Sequence, residues 1–256
     1  MKFGVSVYIP NRNRAVTLGA AIYSAVQEQP IEVAVIDDAS TDESGVVADA
    51  AAMAYDCVWV QHNAVKAPCW EQKAAEEFAS FCGSHVISMG ADDELLSGVV
   101  QSVMRHGKAA VIFHNYFCRK PRQWPHSMIQ LAEPSQQQVL SSSDVRDRIV
   151  SGVAGVETGI ASAIRHDWLK RLCDLEYWRM GPWADAIGYG AVAALAGAVY
   201  VPQAGAIFTI DDDGYGEKSR TGSNSCEYMA EVRDFLKCAE VPPDVADALC
   251  RHRGVT

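Results

Sequence analysis

The sequence predicts an α/β fold with a mainly parallel central sheet and helices on both of its faces. Two observations predict it. Apolar segments rich in Val and Ile alternate with segments whose apolar residues recur at helical spacing, from the N-terminus to residue 117. Hydrophobic residues make up 49% of the 256 residues, which is enough to bury both faces of such a sheet.

The first half of the chain supplies five predicted strands and four predicted helices. Its strand segments, such as "FGVSVYI" and "IEVAVID", are apolar along most of their length, a pattern typical of strands covered on both faces. Pro68 falls in the first turn of the third helix, where proline is tolerated. The predicted strands span residues 3–9, 31–37, 57–62, 85–90 and 109–117, and the predicted helices span 15–29, 42–53, 67–81 and 94–107.

The second half is less regular. Residues 118–142 are rich in Pro, Gln and Ser and predict a long excursion from the sheet. Two helices are expected after Cys226, the second opened by "PPD". Between these parts the pattern predicts helices at 143–151, 166–173 and 183–195, and two strands, "AVYVP" at 198–202 and "AGAIFTI" at 204–210.

Composition and charge narrow the functional classes. The formal net charge of −10 argues against a broad nucleic-acid surface, which needs net basic character. The eight cysteines include no C-x-x-C pair and are scattered through apolar stretches, which indicates reduced thiols in a cytoplasmic protein. The N-terminus resembles a first strand more than a signal peptide, and no apolar run approaches the roughly 18 residues of a transmembrane helix.

Two pairs of adjacent acids follow predicted strands. Asp92 and Asp93 come after the fourth strand, where carboxylates could ligate Mg²⁺ or Mn²⁺, or could simply cap the next helix. Asp37 and Asp38 come after the second strand, where a carboxylate could accept hydrogen bonds from a nucleotide base or ribose, or again serve as a cap. Either pair alone leaves both interpretations open.

The fold prediction brings these pairs together. Parallel strands end along one edge of a sheet, and ligands of open α/β sheets bind in the crevice there. The first predicted strand ends at the segment from Pro10 to Arg12. We therefore expect this segment and both acidic pairs to converge on that edge.

Three segments in order, "VSVYIPNRNR", "AVIDDASTDES" and "ISMGADDELL", resemble the family 2 glycosyltransferases. The resemblance covers residues 3 to about 100 clearly and the rest of the chain loosely. It implies the GT-A fold, known for nucleotide-diphospho-sugar transferases. It also implies inverting transfer of a sugar from a nucleotide-sugar donor, UDP-linked, to the hydroxyl of a saccharide or other acceptor, assisted by Mn²⁺ or Mg²⁺.

The resemblance also assigns roles on the donor side. Pro10 and Arg12 would lie against the nucleoside, and Asp38, the second acid of its pair, would read the base. The segment "HNAVKAPCWEQKAAEEFA" looks like the stretch in which the family places a basic residue near the donor, here Lys73. Together with Asp37 these residues form the expected nucleotide-sugar site.

Asp92 and Asp93 match the family's D-x-D-type element. The last acid, Asp93, would coordinate the metal, and Asp92 would lie near the donor ribose or sugar and assist. Asp185, at the start of a predicted helix, looks like the family's downstream acid and would be the general base that takes the acceptor's proton. It could instead be a first-turn acid that complements the helix dipole, and Glu157 is a rival base.

The segment 207–225 departs most from the family, which often carries a metal-ligating His there. Asp211 could replace that ligand, or water could. Lys218 and Arg220 lie in a Gly-rich stretch that could close over the diphosphate as a flap, or could be a polar loop. The resemblance thus divides a single domain, 1–256, into a donor-binding half (1–107), an acceptor-side half (108–225) and C-terminal helices (226–256).

Other functions remain possible from the sequence. A nucleotidyltransferase acting on a sugar phosphate also places paired acids and a metal on such a sheet, but its basic Gly-rich loop after the first strand is poorly matched by "PNRNRAVTLGA". A receiver-like signalling domain carries its acids after the first strand and is about half this length. A non-catalytic nucleotide-sugar-binding protein would retain the donor site without turnover. The sequence does not indicate an oligomeric state.

Overall fold

The computed structural model describes residues 4–28, 31–67, 70–119, 127–129, 136–152, 161–210 and 228–252. Within these ranges the chain forms the expected α/β architecture, with one mixed sheet between two layers of helices. The strands are β1 (Val5–Asn11), β2 (Ile31–Asp37), β3 (Val58–His62), β4 (His85–Ser88), β5 (Glu94–Leu95), β6 (Val111–Arg119), β7 (Ser127–Ile129), β8 (Gln138–Leu140), β9 (Ser162–Arg165) and β10 (Ala198–Thr209).

Nine α-helices lie in the described ranges, and a 3₁₀ segment, Tyr177–Trp183, leads into the seventh. The helices are α1 (Ala15–Val26), α2 (Ser44–Ala54), α3 (Trp70–Phe78), α4 (Val99–Arg105), α5 (Ser142–Ser151), α6 (His166–Asp174), α7 (Ala184–Ala196), α8 (Tyr228–Cys238) and α9 (Pro243–His252). Most of them fall where the apolar periodicity predicts helix, because that periodicity marks the face each helix packs on the sheet.

The sheet has the strand order β3-β2-β1-β4-β9-β6-β10-β5, with β7 paired to β6 and β8 paired to β10. Strands β1 to β4 are mutually parallel along this path. Strand β9 is antiparallel to both β4 and β6, and β10 is parallel to β6, so β6 and β10 point the same way as the first four. Six strands therefore end along one edge, which we call the carboxyl edge.

The alternation of side chains along the strands divides the core between the two faces of the sheet. Tyr8 and Phe113 belong to the face covered by α3, α5, α6, α7, α8 and α9, and Val7 and Ile9 belong to the face covered by α1, α2 and α4. Tyr8 packs edge-on against Phe78 of α3, with ring centroids 5.1 Å apart. The loops that follow the parallel strands lie at the carboxyl edge.

Two predictions about individual elements are wrong, and others were not made. The helix expected at 94–107 begins only at Val99, because Glu94–Leu95 pairs with β10 and Gly98 adopts φ 89°. The strands expected at 198–202 and 204–210 are one strand, β10, with two shifts in register against β6. Strand β9 was not predicted, since it is four residues long and rich in small side chains.

None of the described helices is both long enough and apolar enough to cross a membrane. Six of the eight cysteines lie in the described ranges, and no disulfide bond joins any two of these six. That observation agrees with the prediction of reduced cysteines.

Candidate active site

Hydrogen bonds join the loops that follow β1 and β2. The amide of Asn11 donates to Asp37 Oδ1 at 2.6 Å and to Ser40 Oγ at 3.2 Å. The side-chain oxygen of Asn13 accepts the backbone N–H of Thr41 at 2.8 Å. The two loops thus form one unit at the carboxyl edge, as the parallel pairing of β1 with β2 requires.

Asp37 is buried inside this unit. Its Oδ1 accepts from Asn11 and Ser40, and its Oδ2 lies 3.4 Å from Nδ1 of His62. The other ring nitrogen of His62 lies 2.9 Å from Asp49, and hydrogen bonding to Asp49, then to Asp37, raises the pKa of His62. These contacts indicate that Asp37 holds the loops together, which differs from the nucleotide contact predicted for it.

Asp38 is also buried, yet it faces the other side of the loop. Its Oδ1 accepts the side-chain amide of Asn63 at 3.0 Å and the backbone N–H of Ala67 at 2.8 Å. The guanidinium of Arg12 donates to the Asp38 carbonyl at 2.8 Å and lies 3.8 Å from Oδ2. The structure therefore brings Arg12 and Asp38 together, and Pro10 is the penultimate residue of the adjoining strand β1.

Asp93 lies after β4 and is 8% exposed. Its Oδ1 accepts the backbone N–H of Thr209 at 2.8 Å, and its Oδ2 accepts that of Gly90 at 2.9 Å. Burial raises the pKa of Asp93 to about 6, the neighbouring Asp92 adds to the rise, and the two backbone donors oppose it. A nearby cation would stabilise the ionised form of this buried carboxyl group.

Asp92 is more accessible, with 21% of its side chain exposed. Its Oδ2 lies 3.6 Å from Nε of Arg14. Its backbone carbonyl accepts the hydroxyl of Thr209 at 2.5 Å and the guanidinium of Arg119 at 3.0 Å. Arg119 also forms an ion pair with Glu94, so the ends of β6 and β10 fix the acidic loop through its backbone.

Gly90 packs against both acids. A Cβ atom at Gly90 would lie 2.8 Å from Asp93 Oδ2 and 2.9 Å from Asp92 Oδ1, so the two oxygens are within about 6 Å of each other. Paired carboxylates suit Mg²⁺ or Mn²⁺. In the described ranges no group of three His, Cys, Asp or Glu side chains could hold a metal ion, and Asp211 lies outside those ranges. Asp92 and Asp93 thus fit as part of a ligand set.

Asp185 lies in the first turn of α7 and is exposed. Helix α7 passes through Gly197 directly into β10, so its N-terminal end and the end of β10 lie at the same edge of the sheet. Its carboxylate accepts the N–H of Ala186 at 2.7 Å, and after burial it is the next cause that raises the pKa of Tyr189. Trp183 beside it is buried in the core, in line with a packing role.

Lys73 is engaged within its own helix. Its ammonium lies 2.8 Å from Glu77 and 3.3 Å from Glu76, and the Glu77 contact is the main cause that raises its pKa. Its described ion pairs thus run along α3, whereas the prediction places it beside the donor. Glu157, Lys218 and Arg220 lie outside the described residues.

Three contributors to this edge were not singled out from the sequence: Arg14, Asn63 and Arg119. Arg14 sits within the quoted segment "PNRNR", and the rule that polar residues after parallel strands converge would have included it. Asn63 follows β3 and Arg119 is the last residue of β6, so both fall under the same rule. Only the interstrand contacts show that Arg119 binds the acidic loop.

Comparisons with known proteins agree with this geometry. A model of Glycosyl transferase family 2 matches residues 6–173. No curated protein matches the sequence significantly.

Solved structures share the fold at low identity. S. aureus TarS 1–349 in complex with UDP-GlcNAc is similar with a TM-score of 0.71 and 13% identity, covering 98% of this chain and 71% of that one. The complex of the same protein with UDP has a TM-score of 0.69 and 12% identity, and the match covers 98% of this chain and 70% of that one. Mannosyltransferase PcManGT from Pyrobaculum calidifontis, in complex with GDP-Man and Mn²⁺, has a TM-score of 0.60 and 16% identity. The match covers 100% of this chain and 70% of that one. The family model matches more than half of this chain, so the chain belongs to glycosyltransferase family 2.

Proposed function

We propose that this glycosyltransferase moves a sugar from a UDP-linked donor to an acceptor hydroxyl, with inversion and with the help of a divalent cation. One observation carries the proposal. Asp38, Asp92 and Asp185 come from three separate elements, and the topology directs all three elements to the carboxyl edge of one sheet.

Asp38 and Arg12 are our candidates for nucleotide recognition. The buried Asp38 carboxylate can accept an N–H of a base, while Arg12 presents a partly exposed guanidinium beside it. Asn63 and the N–H of Ala67 fix Oδ1 of Asp38, so its orientation is set before a ligand arrives. Similar structures bind UDP, UDP-GlcNAc or GDP-Man, which supports a nucleotide-sugar donor in this place.

The two acids after β4 receive different roles from those predicted. We assign the contact with cation and diphosphate to Asp92, because its side chain is the more exposed and faces Arg14. Asp93 positions the loop through its bonds to Gly90 and Thr209. A bound Mn²⁺ or Mg²⁺ would stabilise negative charge on the departing diphosphate. The Mn²⁺ complex of PcManGT supports the use of such a cation.

Asp185 is our candidate general base. Its exposed carboxylate would take the proton from the acceptor hydroxyl while that oxygen bonds to the anomeric carbon. The bond from that carbon to the diphosphate oxygen breaks, and its electron pair leaves with the nucleotide. Attack from the face opposite the leaving group inverts the anomeric centre.

The segment after β10 can complete the site. Thr209 contacts both acids after β4, and Asp211 is two residues further along the chain. We therefore retain Asp211 as a candidate for a further metal ligand. We retain Lys218 and Arg220 as cations for the diphosphate on the same segment. The free cysteines of the described ranges support our proposal of a cytoplasmic location.

A thermal-shift panel of UDP, GDP and their sugar conjugates, each with and without Mn²⁺, tests donor binding. A ligand of the native state raises Tm by mass action, so UDP compounds with Mn²⁺ should give the largest shift. Release of nucleoside diphosphate in the presence of candidate acceptors then tests transfer. The Asp185→Asn variant should keep the shift and lose transfer. No shift by any nucleoside diphosphate at millimolar concentration would overturn the proposal, and shift without transfer would indicate a non-catalytic binder.

A further inference from the structure

Helices α1 and α2 are almost devoid of charge. Together they contain 23 residues, of which Asp49 is the single charged one, whereas 21% of the whole chain is charged. Neither helix contains Lys or Arg. Helices that cover a sheet ordinarily turn a polar face to solvent, so this composition requires an explanation.

Their outward side chains are apolar and exposed. Val16 is 98% exposed, Tyr23 56%, Val46 65% and Met53 89%. Val16 and Tyr23 are seven residues apart on α1, so they lie on the same side of that helix. Val46 and Met53 have the same spacing on α2. The two helices are also neighbours, since a Cβ at Gly19 would lie 3.7 Å from Val47 Cγ1. We call this surface the α1–α2 face: Val16, Gly19, Ala20, Tyr23, Val46, Ala50 and Met53.

The one acid on these helices is already bound. Asp49 Oδ1 lies 2.9 Å from Nε2 of His62, the last residue of β3. Hydrogen bonding to Asp49 raises the pKa of His62, which favours the charged pair. Asp49 is therefore the single charged residue of the two helices, and it is engaged by His62.

We propose that the α1–α2 face binds the same face of a second copy of this chain, forming a symmetric dimer. The proposal does not depend on the proposed function. The four large side chains expose on the order of 500 Å², compared with about 800 Å² per partner in an interface of standard size. Gly19, Ala20 and Ala50 add area between them and allow the helices to approach closely.

Charge selects a second copy over an anionic membrane. A surface that binds acidic lipids carries Lys or Arg around its apolar residues, and these two helices have neither. With a net charge of −10, two copies repel each other through most of their surfaces. The α1–α2 face, whose helices carry Asp49 as their single charged residue, adds little to that repulsion, and a C₂ interface pairs a patch with itself.

Sedimentation velocity of the full chain across a concentration series tests the proposal. Val16→Glu adds an acid to the first turn of α1, and Met53→Lys adds a base near the end of α2. Both charges complement the helix dipole, so folding should be retained. Val139→Glu is the matched control, because Val139 is 72% exposed on β8, away from these helices. Near-UV circular dichroism and Tm verify the fold of each variant.

We expect the wild type and Val139→Glu to form dimers with the same dissociation constant. Val16→Glu and Met53→Lys should each raise that constant about 100-fold, because each places a charge in an apolar interface. A wild type that stays monomeric up to about 100 μM, far above the Kd of a specific dimer, would overturn the proposal. So would a dimer unaffected by both substitutions, or binding of monomers to phosphatidylcholine vesicles through the same face.

Discussion

The backbone N–H of Thr209 donates to Asp93 Oδ1 at 2.8 Å, across 116 residues of sequence. The hydroxyl of the same threonine donates to the carbonyl of Asp92. One residue at the end of β10 therefore holds both acids of the loop after β4. This contact explains why two adjacent aspartates have different environments, with Asp93 turned to backbone donors and Asp92 toward Arg14.

Asp92→Asn should abolish the Mn²⁺-dependent part of the UDP thermal shift and lower transfer at least 100-fold, because an amide is a poor ligand for a hard cation. Its Tm without ligand should change little, since the side chain is partly exposed. Glu94→Gln is the control from the same acidic run. It should keep the Mn²⁺ dependence, because the Glu94 carboxylate is occupied by Arg119. Equal effects of the two substitutions would contradict the assignment of Asp92.

Asp38→Asn should weaken UDP binding by about 10-fold to 100-fold at nearly unchanged stability. Asparagine can keep the contacts of Oδ1 with Asn63 and Ala67 and loses only the charge that faces the ligand and Arg12. The matched change Asp37→Asn should instead lower the free energy of unfolding by about 1–3 kcal/mol, because Asp37 accepts bonds inside the fold. Calorimetric titration with UDP measures the loss of binding, and urea denaturation measures the loss of stability. Lower stability in Asp38→Asn together with weaker UDP binding in Asp37→Asn would refute this division of roles.

Gly90→Ala should destabilise the acidic loop and reduce Mn²⁺ response. Its Cβ would lie 2.8 and 2.9 Å from carboxylate oxygens of Asp93 and Asp92, which must then move. We expect a loss of about 1–3 kcal/mol in unfolding free energy. At Gly19 the nearest atom would be 3.7 Å away, so Gly19→Ala should raise stability by up to about 1 kcal/mol. Urea denaturation of both variants checks this, and equal behaviour would argue against the crowding at Gly90.

His114 should make stability depend on pH between 6.5 and 4. Burial lowers its pKa from 6.5 to about 4, and its ring bonds to Ala161 O and Ser102 Oγ. As pH falls below 6.5, His114 becomes protonated in the unfolded chain but stays neutral in the folded protein. The free energy of unfolding therefore decreases until about pH 4, where His114 is protonated in both states. The change amounts to roughly 3 kcal/mol at most.

The His114→Phe variant isolates that contribution. The difference in unfolding free energy between wild type and variant should grow as pH rises from 4 to 6.5 and stay constant above it. His85, whose pKa burial also lowers, remains in both proteins and cancels from the difference. A pH-independent difference would show that His114 does not titrate as described.

Much of the first half of the chain could be predicted from the sequence, and the reasons are physical. Strand β2 begins and ends where the pattern predicts, because a parallel strand covered on both faces is apolar along most of its length. The convergence of the loops after β1, β2 and β4 followed from parallel topology alone. Local apolar pattern and one topological rule were sufficient for both.

Other features depend on contacts that the local pattern does not contain. Adjacent acids in a turn point in different directions, so the partners of Asp92 and Asp93 depended on β10, more than a hundred residues later. Strand β9 has four residues and gains its place from the partners on either side.

That short strand has a consequence for engineering. Within the described part of the sheet, β9 is the link between β4 and β6, through the register His85↔Arg165, Val86↔Ile164 and Ile87↔Ala163. A chimera that grafts a foreign N-terminal half onto this chain would have to reproduce that seam, the pairing of β5 with β10, and the bonds of Thr209 and Arg119 to the acidic loop. Exchange of modules at this boundary therefore requires that all of these contacts be matched together.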